Sequence, residues 1–350
     1  GTVNIAVRAG GVQKEGAFHA QGAGEGIHLI DEVTDRRDAL RVGQLSADVL
    51  CESGGGEGGN IYRCRLDGSK LSQIATGFWN PHASCFDAFG RLFTVDNDAD
   101  SRPPCRLLHV IPGGDYGYRF RNGRKGLHPF TAWNGEIPGT LPMVAGTGEA
   151  PSGILAYESD GLPEEYLGNL LVTSWGDHRI DRFRLQPKGT SFTSLAEPLI
   201  TGGENFRPVG LATAPDGSLF CTDWVLRDYK LHGHGRIWRI APKDPRKTPV
   251  IALDSLQTQK PEQLTGLLWS PRRDVRRMAA HVLATSKTRR PSGSSSTENP
   301  VDPHARHRHD IEILWRFKGV ERQEPGTMPL TSEIRDYDDP FYGWLASTPG

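Results

Sequence analysis

The chain has 350 residues, 36% of them hydrophobic and 24% charged, with a formal net charge of −1. That balance removes the electrostatic case for nucleic acid or an anionic membrane surface, and no apolar run approaches the ~18 residues of a spanning helix. The 42 glycines and 25 prolines suit a turn-rich β fold, and the length holds one large domain with a small companion, or two domains.

In chain order, residues 1–58 read as irregular or as a partial repeat unit. Within them 27–50 has little Gly or Pro punctuation and is compatible with helix, and "CESGGGEGG" (51–59) is a flexible loop. "GNIYRCRLDG" (59–68) has the alternation of a strand bounded by glycines. Its relatives follow. "NPHASCFDAFGRLFTVDND" (80–98), "PSGILAYESDGLPEEYLGNLLVTSWGD" (151–177) and "FRPVGLATAPDGSLFCTDW" (206–224) share one layout. A proline corner leads into a short apolar run, then a turn, then a second apolar strand ending in polar or aromatic residues. A third alternating strand comes after each: "CRLLHVI" (105–111), "RIDRFRL" (179–185) and "GRIWRI" (235–240).

A multi-strand unit recurring every ~40–50 residues points to propeller blades, whereas a β-sandwich need not repeat a motif in fixed register. The Gly/Pro-rich stretch 112–150 reads as a degenerate blade or a loop insertion. The expectation is therefore an all-β propeller over residues 59–245. "SPRRDVRRMAAHVLATS" (270–286) then carries a helical apolar stripe after Ser270 and Pro271, so 253–288 reads as a HEAT-like helical hairpin. Residues 289–350 read as a polar linker and tail.

In an antiparallel hairpin the start of the first strand and the end of the second are neighbours. Asn80-Pro81-His82 therefore meets Asp96–Asp100, Pro151-Ser152 meets Trp175–Asp177, and Arg207-Pro208 meets Asp223-Trp224. If the first strands line a channel, these groups gather at one mouth, where propeller sites are built from loops on a rigid scaffold. The opposite end receives only structural turns.

At that mouth Asp96, Asp98 and Asp100 supply oxygen ligands of the calcium type, or else a solvated acidic loop; Ser101 and Leu107 rule out an EF-hand. Arg207 suits a carboxylate or planar anion, with a salt bridge to Asp223 as the structural alternative. Trp79, Trp175 and Trp224 suit stacking or inter-blade packing. His232 and His234 could contact a ligand, and His304, His307 and His309 lie in the polar linker. The five cysteines form no C-x-x-C-H, so no haem is attached to this chain, and Cys85 and Cys221 read as small buried thiols. Nucleotide-binding and hydrolase motifs are missing.

"GFWNPHASCFDAFGRLFTVDNDAD", "GGDYGYRFRNG" and "FRPVGLATAPDGSLFCTDW…GHGRIWRI" resemble the soluble glucose/sorbosone dehydrogenase group of six-bladed propellers. They are most similar to a bacterial branch described as membrane-bound dehydrogenases, in which HEAT-like repeats and often a c-type haem module follow. The blade count over residues 59–241 falls short of a closed ring, so the ring reads as incomplete at its N-terminal side. The resemblance covers about residues 59–285 and implies bound pyrroloquinoline quinone (PQQ) and calcium, oxidation of a sugar or alcohol in the periplasm or outside the cell, and electrons passed to a haem partner. Asn80 and Arg207 match cofactor-binding positions, Asp223 and Trp224 accompany them, Asp96, Asp98 and Asp100 stand for the metal, and His82 is the candidate base. Two departures stand out: the family arginine before Asn80 is Trp79 here, and the family's histidine-bearing blade is not recognisable in residues 1–58, where His28 falls roughly in place. The alternative is a non-catalytic propeller that binds glycans or proteins and docks through its helical tail.

Overall fold

The computed structural model describes residues 5–10, 27–31, 40–45, 59–65, 72–98, 103–118, 132–243 and 250–285. Among them lie four antiparallel four-stranded sheets, with few helices. The first sheet runs in order through β2 (Ile27–Asp31), β3 (Leu40–Leu45), β4 (Gly59–Arg65) and β5 (Ser72–Phe78). The second is β6 (Asn80–Phe86), β7 (Leu92–Asn97), β8 (Arg106–Val110) and the short β9 (Ala145–Gly146). The third is β10 (Pro151–Ala156), β11 (Leu170–Ser174), β12 (Arg179–Phe183) and β15 (Ala196–Thr201), with a small hairpin, β13 (Gln186–Lys188) and β14 (Ser191–Thr193), inserted before β15. The fourth is β16 (Pro208–Thr213), β17 (Leu219–Asp223) and β18 (Arg236–Pro242), completed at its edge by β1 (Ile5–Gly10) from the other end of the chain.

Within the stretch 27–50, compatible with helix on sequence, the described segments are the strands β2 and β3 instead. Their pairing runs from Ile27 with Leu45 to Asp31 with Arg41, and β3 pairs onward with β4. "GNIYRCR" is thus a third strand, and its missing first half is this hairpin. Of the stretch 112–150, Ala145–Gly146 adds the edge strand to the second sheet. The segment before it folds back on β5, with a parallel bridge from Thr76 to Asp115 and Tyr116, Tyr118 and Trp133 buried.

Successive sheets pack face to face. Phe93, Val95 and Leu107 meet Ile154, Leu170, Val172 and Phe183 between the second and third sheets. Leu171 and Ile180 meet Leu219, Cys221 and Ile240 between the third and fourth. Strands β7, β8 and β11 are covered on both faces and read as near-continuous apolar runs, whereas β17 alternates because, among the described residues, one face of the fourth sheet is open. The first strands β6, β10 and β16 lie side by side. Between β10 and β16 the approach is so close that a Cβ on Gly153 would stand 2.1 Å from the Val209 carbonyl oxygen, and Thr173 Oγ1 donates to that same oxygen at 2.6 Å.

The helical extension sits at the turn end of the sheets. Arg273 N donates to the Glu158 carbonyl at 3.0 Å and Arg273 Nη1 to the Phe86 carbonyl at 2.9 Å. Its two helices, Pro261–Leu267 and Arg273–Thr285, enclose their own core of Leu256, Leu264, Leu268, Val275, Ala279 and Leu283. The stripe read after Ser270 is realised, with the Ser270 hydroxyl accepting from Arg272 N. Neither helix is long and apolar enough to cross a membrane.

Candidate functional site

Each proline corner is built the same way. Pro81 pairs with Asp96, Pro151 with Ser174 and Pro208 with Asp223, and a register shift follows immediately in all three strands. Proline lacks an N–H for the ladder and a bulge absorbs the extra residue, so the strand bends and its next side chains are re-aimed. His82, Ser152 and Val209 occupy that bulge. The described non-glycine residues with left-handed backbone, Ala150 (φ 50°), His178 (φ 57°) and Val225 (φ 77°), all lie at this same end. Val225 is β-branched, which makes its conformation the most strained of the three.

One chain of contacts links the corners across three sheets. Asn80 pairs with Asn97. Cys105 Sγ stands 3.1 Å from Asn97 Oδ1 and 3.8 Å from Glu149 Oε2. Gly176 N donates to the Glu149 carbonyl, and Trp175 N to the Ala150 carbonyl. The Trp175 carbonyl accepts from Arg207 Nη1 at 3.1 Å, and Arg207 N donates to Asp223 Oδ1 at 2.8 Å. Asn80, Asp98, Arg207 and Asp223 therefore share one end of the molecule.

Their exposures differ. Asp96 is fully buried, accepts from the backbone N–H groups of Trp79 and Asn80, and pairs with Arg106 at 2.8 Å. Asp223 accepts from the N–H groups of Arg207 and Val225, from Trp238 Nε1 at 2.8 Å, and from Arg236. Both carboxylates brace their corners from behind, with every oxygen engaged. Asp96, expected as a metal ligand, is closed off from solvent, whereas Asp223, expected as a cofactor contact, has both oxygens taken by protein donors while the residue borders the groove beside its corner. Asp98 lies apart from Asp96, grouped instead with Cys105 and Glu149, whose ligand atoms fall within 4.8 Å of one another. Burial, followed by the Asp98 charge, pushes the Cys105 thiol well up, so it is held protonated. Asp100 lies outside the described residues, as do His304, His307 and His309.

Arg207 is 4% exposed, with its guanidinium 4.4 Å over the Trp175 ring and its Nε buried without a hydrogen-bond partner. Trp175 in turn stacks on Tyr229, with ring centres 5.4 Å apart and planes 8° from parallel. Trp224, half-buried, donates from Nε1 to the Asp228 carbonyl and meets His232 edge-on at 4.9 Å, and His232 stacks on His234. Trp79 is buried against Tyr118, packing rather than facing the mouth. His82 is exposed on its bulge. A groove of about 380 Å³ opens beside the Pro208 corner of the fourth sheet, lined by Val209, Thr222, Asp223, Trp224, Gly235 and Arg236.

Sequence reasoning passed over three features. The first is the repeated brace, an aspartate ending the second strand with an arginine opening the third, visible as Asp96 with Arg106 and Asp223 with Arg236. The second is the Cys105 group, whose members are distant in sequence. The third is the loop that brings Arg227 and Tyr229 to Arg207.

A family profile described as "Domain of unknown function (DUF7133)" matches residues 40–228, more than half of the chain. The chain belongs to this family. The DUF7133 segment contains all three proline corners and the loop up to Asp228. No curated protein matches. Among solved structures, a glucose dehydrogenase is 17% identical, covering 61% of this chain and 62% of its own, with a TM-score of 0.46. The soluble aldose sugar dehydrogenase of Escherichia coli is 16% identical, covering 62% and 63%, with a TM-score of 0.46. The PQQ-bound aldose sugar dehydrogenase of Streptomyces coelicolor is 19% identical, covering 58% of each chain, with a TM-score of 0.43. The chain thus spans less than two thirds of the length of these structures.

Proposed function

We propose that this chain is a propeller-type PQQ-dependent sugar or alcohol dehydrogenase, with its cofactor seated at the corner end. The observation that carries the reading is Arg207: a buried guanidinium lying on an indole, with Nε left unpaired. A buried donor of this kind costs free energy until an acceptor meets it, and a flat carboxylated ring offers both the acceptor and a surface to stack. The residues present fit such a group. Arg207 would bind a carboxylate, Trp175 and Trp224 would flank the ring, and Asn80 would donate from the corner of the second sheet. When bound, the quinone would supply the two-electron oxidation of a substrate hydroxyl.

The chain's own contribution would be to orient the substrate and to hold a proton. His82, exposed on the bulge beside Asn80, is the group proposed to take the hydroxyl proton. The donors near Asp98 fit calcium poorly: a buried thiol stands among them where calcium takes oxygen, and Asp96 is committed to Arg106. Electrons would pass to a c-type haem partner outside this chain, and the reading places the protein in the periplasm or outside the cell.

Titration with PQQ, followed by tryptophan fluorescence and by thermal shift, tests this directly. Native protein should bind, and Arg207→Ala should weaken binding about tenfold or more, as expected for one charged hydrogen bond. Binding that survives Arg207→Ala unchanged, or no binding at saturating quinone, overturns the assignment. Glycan binding without quinone binding would favour the non-catalytic alternative.

A further inference from the structure

The loop joining β17 to β18, residues 224–235, is not needed to hold the sheet. Most of it is exposed, Leu231 by 96% and Tyr229 by 80%. It leaves the strand through Val225, left-handed at φ 77°, and returns through Gly233, φ 70°. Within it Lys230 N donates to Asp228 Oδ1 and His234 N to His232 Nδ1, both local contacts. Among the described residues, its tie to another sheet is the Tyr229 ring stacked on Trp175. Few buried contacts and strained or glycine ends mark a segment that opens at low cost.

Beside this stack lies Arg207. Its guanidinium rests on Trp175, the same ring that Tyr229 covers. Burial pulls the Arg207 guanidinium below its ordinary range, and the Arg227 charge from this loop pulls in the same direction. Geometry puts the Arg227 segment beside Arg207: Trp224 N donates to the Arg207 carbonyl at 2.9 Å and Trp224 Nε1 to the Asp228 carbonyl at 2.7 Å. Glu204, Tyr229 and Asp223 are the nearby groups of opposing effect. An anion between Arg207 and Arg227 would turn repulsion into attraction on both sides.

We propose that residues 224–235 form a hinged cover over Arg207, latched by the Tyr229–Trp175 stack, and that a carboxylate bound at Arg207 draws Arg227 in as a second cation and locks the cover shut. The anion half of this rests on the function proposed above; the latch half does not. Tyr229 thereby decides which ligands reach Arg207.

The loop carries its own reporters, because Arg227 and Lys230 are trypsin sites. Cleavage there, timed by mass spectrometry on the full chain, measures the open fraction when opening is fast. Without ligand, Tyr229→Ala should be cut about two- to tenfold faster than native protein, the range expected for one aromatic stack, while Tyr229→Phe should resemble native. Equal rates for native and Tyr229→Ala overturn the latch whatever the protein binds. With PQQ, or with benzene-1,2,4-tricarboxylate as a redox-inert flat anion, native cleavage should slow several-fold, and Arg227→Ala should lose that protection and bind the probe several-fold more weakly. A probe whose thermal shift depends on Arg207 but which leaves cleavage unchanged overturns the locking step. No binding of either probe overturns the site reading and the anion half together, while the latch stands or falls on the ligand-free rates.

Discussion

The second and fourth sheets contain the same brace in two settings. In the second, Arg106 donates to Asp96, to the carbonyls of Tyr116, Trp133 and Gly77, and lies 3.5 Å over the Trp133 ring, all out of contact with solvent. In the fourth, Arg236 donates to Asp223 and to the Asn205 carbonyl, and remains 34% exposed beside the groove. The pairing chemistry is identical. What differs is that the loop between β8 and β9 folds over the first pair, whereas the second is left beside an opening. A charge pair is scaffold or site-former according to what covers it, not according to its partners.

Breaking the covered brace should have the largest effect. Arg106→Met strands a buried carboxylate and should cost about 3–5 kcal/mol in urea unfolding, while the double change Arg106→Met with Asp96→Leu should recover part of that loss. A loss below about 1 kcal/mol would place Arg106 with ordinary surface ion pairs. Next in size is Gly153→Ala, which presses a methyl group toward the Val209 carbonyl and should cost about 1–3 kcal/mol while weakening ligand binding at Arg207, because β16 must shift. Arg236→Met should be milder, about 0.2–1 kcal/mol, since the pair is partly solvated and Asp223 keeps its other donors.

The smallest effect is a matter of pH. Burial raises the Asp181 carboxyl above its ordinary value, against the pull of Arg179 and with help from Asp177. Between the ordinary and the raised value the native state holds more protons than the unfolded one, so stability falls as pH rises through that window. Asp181→Asn has no such titration. Its stability relative to native protein should therefore improve from acid toward neutral pH, and a constant difference across that range would refute the assignment.

Much of this architecture was legible because the repeat is written twice, once in the proline corners and once in the strand patterns they bound. The sharing of one end by Asn80, Arg207 and their hairpin partners followed from antiparallel pairing alone. Residues 27–45 were harder to read: "IHLID" and "LRVGQL" are short, and their partner strand lies beyond a glycine-rich loop, so only the pairing reveals their type. The direction in which Asp96 and Asp223 point was equally hidden. An acidic residue at a strand end serves as ligand or brace depending on whether a third-strand arginine lies beside it, which is a tertiary fact. Tyr229 and Arg227 escaped notice because a loop's exposed residues show no period, and their meaning comes from the buried guanidinium below.

The edge strand Ile5–Gly10 has a consequence for biogenesis. Its partner, beginning at Arg236, emerges from the ribosome 226 residues after Gly10 (236 − 10). Throughout synthesis that early segment has no mate, and the sheet bearing Arg207 waits for a zipper that closes last. Such long-range closure is slow and leaves bare backbone edges exposed meanwhile. The sheet behind Arg207 is thus complete only when two segments far apart in the chain find each other.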